Sequence, residues 1–125
     1  MRRLLLWGPP LVYMALIFHL SSESNPLPTL TEHVWDKLLH FTEYAGLGVL
    51  FARALIAERV RLGTAILVAV LMTSAYGAAD EYHQLFVPER DSDVRDWISD
   101  TIGATIGALT YERLRRYDVT AAWFS

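Results

Sequence analysis

The chain alternates between long apolar runs and short polar segments. A helix that crosses a bilayer needs about 20 mostly apolar residues. Four runs are mostly apolar, at residues 4–20, 38–56, 62–79 and 97–111. The third run has no charged residue, the second is interrupted by His40, Glu43 and Arg53, and the fourth reaches this length only with its flanking residues. We therefore predict an all-α protein, a bundle of four transmembrane helices at about residues 4–20, 36–56, 62–85 and 93–113.

The ends of the helices follow from local signals. Proline fits the first turn of a helix, so the first helix is predicted to begin near Pro9 or to kink there. A carboxylate is favourable at a helix N-terminus, so the second helix is predicted to begin near Asp36. The third helix should stop before Pro88, because the residue before a proline avoids the α region. The short basic segment 57–61 makes the second and third helices antiparallel neighbours. Gly103 and Gly107 have the spacing that lets two membrane helices approach closely, although this spacing is common.

Length and composition limit the alternatives. The 125 residues have room for one domain, over residues 1–125, and 53% of them are hydrophobic. The absence of cysteine excludes disulfides and thiolate sites. A soluble four-helix bundle would also explain charges inside the second run. A cleaved signal peptide would explain Arg2 and Arg3 before an apolar run, but no Ala-x-Ala site follows Leu20, which favours an uncleaved first helix.

Charge is distributed unevenly between the two sides of such a bundle. If all four runs cross, one side carries eight basic and three acidic residues, and the other carries three basic and eleven acidic residues. Lys and Arg are enriched in cytoplasmic loops, so both termini are predicted to be cytoplasmic and the acidic side extracytoplasmic. All four histidines fall on the acidic side. Nucleic-acid binding is not expected, because the basic residues line a membrane face.

Three of the predicted helices carry a polar stripe. Side chains three or four residues apart share one face of a helix. Charges are costly at membrane depth and tend to face the bundle interior, so we expect the stripes to meet in one outward-facing cavity. The alternative is that these groups only satisfy one another, with His40 bonded to Glu43 or Asp80. The stripes contain Asp36, His40, Glu43 and Tyr44; Thr73, Tyr76, Asp80, His83 and Gln84; and Asp93, Asp96 and Asp100.

The chemistry of these side chains leaves several functions open. Carboxylates with an imidazole suit Mg²⁺, Mn²⁺ or Ca²⁺, or Zn²⁺ with histidine, so a divalent metal is possible, although no known metal spacing is present and no cofactor is predicted. A histidine paired with an aspartate can act as a general base, which makes His83, His40 and Asp80 the catalytic candidates. Arg90 could clamp a phosphate or carboxylate.

Three motifs and a short Thr-x-Gly-Ala segment resemble the VanZ-like family of small multi-helix bacterial membrane proteins. They are Asp36-Lys37-x-x-His40-Phe41-x-x-Tyr44-x-x-Leu47-Gly48, Asp80-Glu81-x-His83-Gln84-x-Phe86-x-Pro88-x-Arg90, Asp93-x-x-Asp96 and Thr101-x-Gly103-Ala104. The namesake of the family is associated with low-level resistance to the glycopeptide teicoplanin, and no reaction is assigned to the family. The chain departs from the family at Glu89, usually glycine, and at Asp100, usually asparagine.

The resemblance implies a multi-pass protein of the bacterial cytoplasmic membrane. It also implies a common core of Asp36, Lys37, His40, Asp80, Glu81, His83, Gln84, Arg90, Asp93 and Asp96. Together with Glu43 and Asp100, these residues form the predicted binding set on the extracytoplasmic side.

Three functions remain as hypotheses. The first is a binding protein of the cell envelope, whose site holds a lipid headgroup, a cell-wall precursor or a glycopeptide-related ligand. The second is a membrane enzyme that acts on a lipid-linked phosphate or amide at the outer leaflet. The third is a proton- or ion-coupled transporter, with Glu43 and Asp100 as carriers; four helices are few for this task unless the chain forms an oligomer. The lack of a recognised catalytic motif favours the first. Expected partners are membrane lipids and a lipid-linked cell-wall precursor.

Overall fold

The computed structural model describes residues 2–22, 32–86 and 94–117, with side chains at 2–19, 38–86 and 94–115. These residues form four α-helices and no strand, which confirms the all-α prediction. The helices are α1 Arg2–Ser22, α2 Glu32–Ala57, α3 Leu62–Gln84 and α4 Val94–Tyr117. Helix α3 ends before Pro88, as predicted, and α2 begins at Glu32, one turn earlier than expected.

Helix α1 runs through its two prolines, so the expected start near Pro9 is wrong. The helix begins at Arg2 and includes both Pro9 and Pro10. Proline has no N–H to donate to the carbonyl four residues earlier, which for Pro9 is that of Leu5. The Arg53 guanidinium of α2 donates to the Leu5 carbonyl oxygen, with Nη1 and O 3.1 Å apart. A side chain from the neighbouring helix therefore replaces a bond that the proline removes.

A tight turn reverses the chain between α2 and α3. Arg59 has φ 66°, the left-handed conformation that commonly ends a helix. The Val60 N–H then donates to the Leu55 carbonyl oxygen at 3.1 Å, closing the end of α2. The two helices are antiparallel neighbours, as the short basic segment predicts.

Helices α2 and α4 make the most extensive contact of any pair of described helices. A Cβ on Gly103 would lie 2.5 Å from the Phe41 carbonyl oxygen, and one on Gly107 would overlap the Ala45 carbonyl group. Because glycine has no Cβ, the two backbones can touch at these positions, and any larger residue would push them apart. The two glycines that were predicted to allow a close helix approach therefore lie at this contact, and they set the distance between α2 and α4.

The bundle exposes many large apolar side chains. Alanines of α2, α3 and α4 fill the core together with a few large residues such as Leu47 and Phe51, whereas many leucines and isoleucines face outward. Among the described helices, α3 is the one whose length and apolar composition would allow it to cross a membrane, and only 22% of its most apolar window is buried. At one end of the bundle, the C-terminal parts of α1 and α3 lie beside the N-terminal parts of α2 and α4, as the contacts of Phe18 with His83 and of His40 with Asp100 show. Most of the buried acidic residues of the described helices lie in this half of the bundle.

Candidate functional site

A cluster of buried polar side chains lies between α2, α3 and α4; we call it the polar cluster. Its acidic residues outnumber its one imidazole by four to one, and no lysine or arginine is buried among the described residues. Asp80 and Glu81 of α3 contribute to it, and Gln84 is buried one turn later on the same face of the helix. The cluster consists of His40, Asp80, Glu81, Asp96 and Asp100. Thr73 is buried on the same face of α3 as Gln84.

A buried pair joins α2 to α4 inside the cluster. The His40 Nδ1 atom lies 2.9 Å from Asp100 Oδ1. The Asp100 side chain is fully buried. Its second oxygen, Oδ2, faces α3 where Gly77 has no side chain; a Cβ there would lie 2.8 Å from this oxygen. His40 therefore pairs with neither Glu43 nor Asp80, the two partners considered from the sequence.

A second buried contact joins α2 to α3. The Tyr44 hydroxyl donates to Asp80 Oδ2 over 3.1 Å. The rings of His40 and Tyr44, one turn apart on α2, stack with centroids 6.1 Å apart and planes inclined by 14°. Tyr44 is absent from the predicted binding set, although its position four residues after His40 on the polar stripe is the signal that would have included it.

Polar contacts also hold α4 against α3 beside the cluster. The Ser74 and Thr101 hydroxyl oxygens are 2.8 Å apart. The Trp97 indole N–H donates to the Ser74 carbonyl oxygen at 2.9 Å. These bonds restrain the rotation of α4 about its own axis, and that rotation decides where Asp100 points.

Glu81 brings a third helix to the pair of His40 and Asp100. One nitrogen or oxygen atom from each of the three side chains lies within 4.8 Å of the other two, and all three residues are buried. In addition, Asp80 Oδ1 and Asp100 Oδ2 are buried oxygen atoms that accept no hydrogen bond from the part of the chain that the structure describes. A site with these donors has the chemistry to hold a proton, an ammonium group or a metal cation.

The predicted binding residues fall into three groups: those in or beside the polar cluster, two that are half-buried, and those outside the described residues. Five of them meet in the polar cluster, namely His40, Asp80, Glu81, Asp96 and Asp100, and Gln84 is buried one turn beyond Asp80. Glu43 is half-buried, one turn from His40. His83 is half-buried and stacks on Phe18 of α1, with ring centroids 4.4 Å apart. The side chains of Asp36 and Lys37, and the residues Arg90 and Asp93, lie outside the described residues. The functional role of the set stays a prediction.

The chain was also compared with known proteins. No curated protein and no solved structure matches it. The model of one protein family, VanZ/LLP1, matches residues 6–115. The match includes nearly all of the four helices and every residue of the polar cluster, and it covers most of the 125 residues. The chain therefore belongs to the VanZ/LLP1 family.

Proposed function

We propose that this chain is a multi-pass membrane protein in which all four helices span the bilayer. The support is that large apolar side chains face outward and carboxylates face inward, the reverse of the arrangement in a water-soluble protein. Leu67 and Leu71 of α3 and Ile102 and Ile106 of α4 are about half exposed, while the carboxylates lie between the helices. In water, large exposed apolar surfaces are uncommon and mark a contact with a membrane or a partner. In a bilayer, apolar side chains face lipid and charged ones face the bundle interior.

The orientation that we propose has both termini in the cytoplasm and the polar cluster in the extracytoplasmic half. Basic residues gather at the end of the bundle away from the cluster, where Arg3 pairs with Glu58 at 3.2 Å. Excess Lys and Arg favour the cytoplasmic side. Asp100 lies six residues after Val94, which is about 9 Å along the helix axis. If α4 enters the hydrocarbon core near Val94, this depth supports a cluster in the outer third of a core about 30 Å thick.

Cysteine labelling tests this orientation, because the chain has no native cysteine. Two positions at opposite ends of α3 are changed to cysteine. Phe86 lies just after the end near the polar cluster, and Arg61 lies just before the other end. On intact cells, a membrane-impermeant maleimide is expected to label Phe86→Cys, and to label Arg61→Cys only after lysis. The reverse pattern would overturn the orientation, and labelling of both without lysis would overturn the crossing of α3.

We propose that the polar cluster binds a polar ligand of the cell envelope. A lipid headgroup, a cell-wall precursor and a glycopeptide-related molecule are the candidates. One observation carries this proposal: Asp80 and Asp100 are both buried in the cluster, and one oxygen of each accepts no hydrogen bond from the described residues. Electrostatic complementarity selects partners of opposite charge. The bound part of the ligand is therefore expected to carry an ammonium group.

Lipid retention tests the binding proposal. The protein is reconstituted in vesicles of equal phosphatidylethanolamine and phosphatidylglycerol, extracted into mild detergent and weighed by native mass spectrometry. Wild type is expected to retain phosphatidylethanolamine, whose headgroup has an ammonium, over phosphatidylglycerol. Asp80→Asn is expected to weaken this retention about tenfold, which corresponds to a lost charge-assisted hydrogen bond.

The matched control is Glu112→Gln, which neutralises a buried carboxylate twelve residues along α4 from Asp100, about 18 Å away. It is expected to retain the lipid as wild type does. Equal retention of both lipids, or indifference to Asp80→Asn, would refute binding of an ammonium headgroup. A cell-wall precursor would appear instead as a heavier adduct on protein purified directly from cells.

A membrane enzyme is the second candidate, because His40 and Asp100 have the arrangement of a base and its orienting carboxylate. Its substrate would be a lipid-linked phosphate or amide. This function requires turnover of a lipid extract that His40→Gln abolishes, whereas the binding function requires no turnover.

A further inference from the structure

We propose that His40, Glu81 and Asp100 hold one divalent cation at the centre of the polar cluster. One imidazole and two carboxylates form a donor set between the oxygen-rich sites of Mn²⁺ and the nitrogen-rich sites of Zn²⁺. The bound cation is therefore expected to be Mn²⁺, Zn²⁺ or a similar divalent transition metal. The inference goes beyond the proposed binding of an envelope ligand, because it assigns particular residues to an ion whatever the organic ligand is.

The geometry brings the three donors together from separate helices. Their ligand atoms lie within 4.8 Å of one another, on α2, α3 and α4. Three atoms that each stand about 2.1 Å from one cation lie about 3 to 3.6 Å from one another. Side-chain movements that bring the donors together by about 1 Å therefore close the site. Because the sequence separates the donors by 41 and 19 residues, no short motif records them.

A second observation, independent of the clustering, comes from Asp100. Its side chain is 0% exposed, and Oδ2 accepts no hydrogen bond from any residue that the structure describes. Buried carboxylate oxygens nearly always have a partner, since leaving one without is costly. The other oxygen, Oδ1, lies next to His40 Nδ1. An imidazole that carries its proton on Nε2 keeps its lone pair on Nδ1, so Nδ1 and Oδ1 can both bind a cation that lies beside them. Two ligand atoms at right angles around one cation are about 3 Å apart, close to the 2.9 Å that separates Nδ1 from Oδ1.

Charge balance is the third argument. Asp80 and Asp100 are both buried, and one oxygen of each accepts no hydrogen bond from the described residues. Buried charges require an opposite charge, and a divalent cation supplies two units at one point. Asp80 remains acidic beside the filled site, and its Oδ1 stays available to an ammonium group.

Metal binding is measured on the full chain in mild detergent. The protein is stripped with EDTA, dialysed against Mn²⁺ or Zn²⁺, and analysed for bound metal, with electron paramagnetic resonance of Mn²⁺ as a second readout. Wild type is expected to bind one cation per chain. Glu81→Gln removes one ligand with little change of shape and is expected to weaken binding at least about tenfold, as loss of even an outer contact does.

The control is Glu112→Gln, the same change at a buried carboxylate far along α4, which is expected to bind the cation as wild type does. Wild type and this control are also expected to melt at a higher temperature when Mn²⁺ is added, because the ion binds the folded state. That rise is expected to be absent in Glu81→Gln.

Folded wild type that binds no stoichiometric cation, or binding that Glu81→Gln leaves unchanged, overturns the metal site. If folded wild type binds no cation, bound protons rather than a metal neutralise the carboxylates. The wild-type measurement decides the question even if a variant fails to fold. Retention of phosphatidylethanolamine by metal-free protein, together with no cation binding, would overturn this inference alone and leave the proposed function standing.

Discussion

Replacing His40 by phenylalanine is expected to destabilise the bundle by about 3–5 kcal/mol, the usual cost of removing one member of a buried pair. The ring volume is nearly kept, so packing changes little. The fully buried carboxylate of Asp100 would lose the contact that its Oδ1 makes with His40 Nδ1. Its Oδ2 already accepts no bond from the described residues. The measurement is chemical denaturation of metal-free protein in mild detergent, followed by tryptophan fluorescence.

A second substitution separates the pair from general damage to the core. Asp100→Asn in the His40→Phe background is expected to recover part of the lost stability, because a neutral amide removes the unpaired charge. His19→Phe is the matched control, since it makes the same change at an exposed histidine of α1. It is expected to stay within about 0.5 kcal/mol of wild type. Strictly additive effects of the two changes at His40 and Asp100 would contradict the proposed coupling.

Replacing Gly107 by alanine is expected to cost about 1–3 kcal/mol or more, the usual penalty for overpacking a close contact. One added carbon would enter the Ala45 carbonyl group of α2. The atom that it meets belongs to a backbone, so no side-chain rotation relieves the clash. Helices α2 and α4 must move apart, which also moves Asp100 away from His40. The measurement is the same denaturation, together with the retention of the envelope lipid.

Gly63→Ala provides the comparison for Gly107→Ala. Gly63 lies in the first turn of α3, where a Cβ meets no atom within 4 Å. Alanine forms helices better than glycine by about 1 kcal/mol. The control is therefore expected to keep or raise stability. If Gly107→Ala behaved in the same way, the backbone contact between α2 and α4 would not set their distance.

The sequence could predict the polar cluster as a region but not its pairs. Residues three or four apart share a helix face wherever a helix forms, so the stripes on α2, α3 and α4 follow from spacing alone. Which stripe residue meets which depends on the height and rotation of each helix. His40 was expected to bond Glu43 or Asp80, one of them on its own helix, yet its partner Asp100 is sixty residues away. His83 lies on the predicted stripe but packs on α1.

The beginning of α1 also shows that local sequence signals do not predict contacts between helices. Two prolines predict a helix start or a kink, because each removes a backbone bond. The helix continues through them where Arg53 from α2 donates to the exposed carbonyl of Leu5. No local signal near Pro9 contains this information, since the compensating group lies more than forty residues away.

By itself, the sequence determined that the chain is helical, where most of its helices end, and which faces are polar. These properties depend on hydrogen bonds and side-chain spacing within a few residues, so they can be worked out one segment at a time. The tertiary structure decided which polar groups touch: His40 with Asp100, Tyr44 with Asp80, and Glu81 beside the first pair. Those contacts depend on how three helices are placed, and glycine contacts between α2 and α4 set part of that placement.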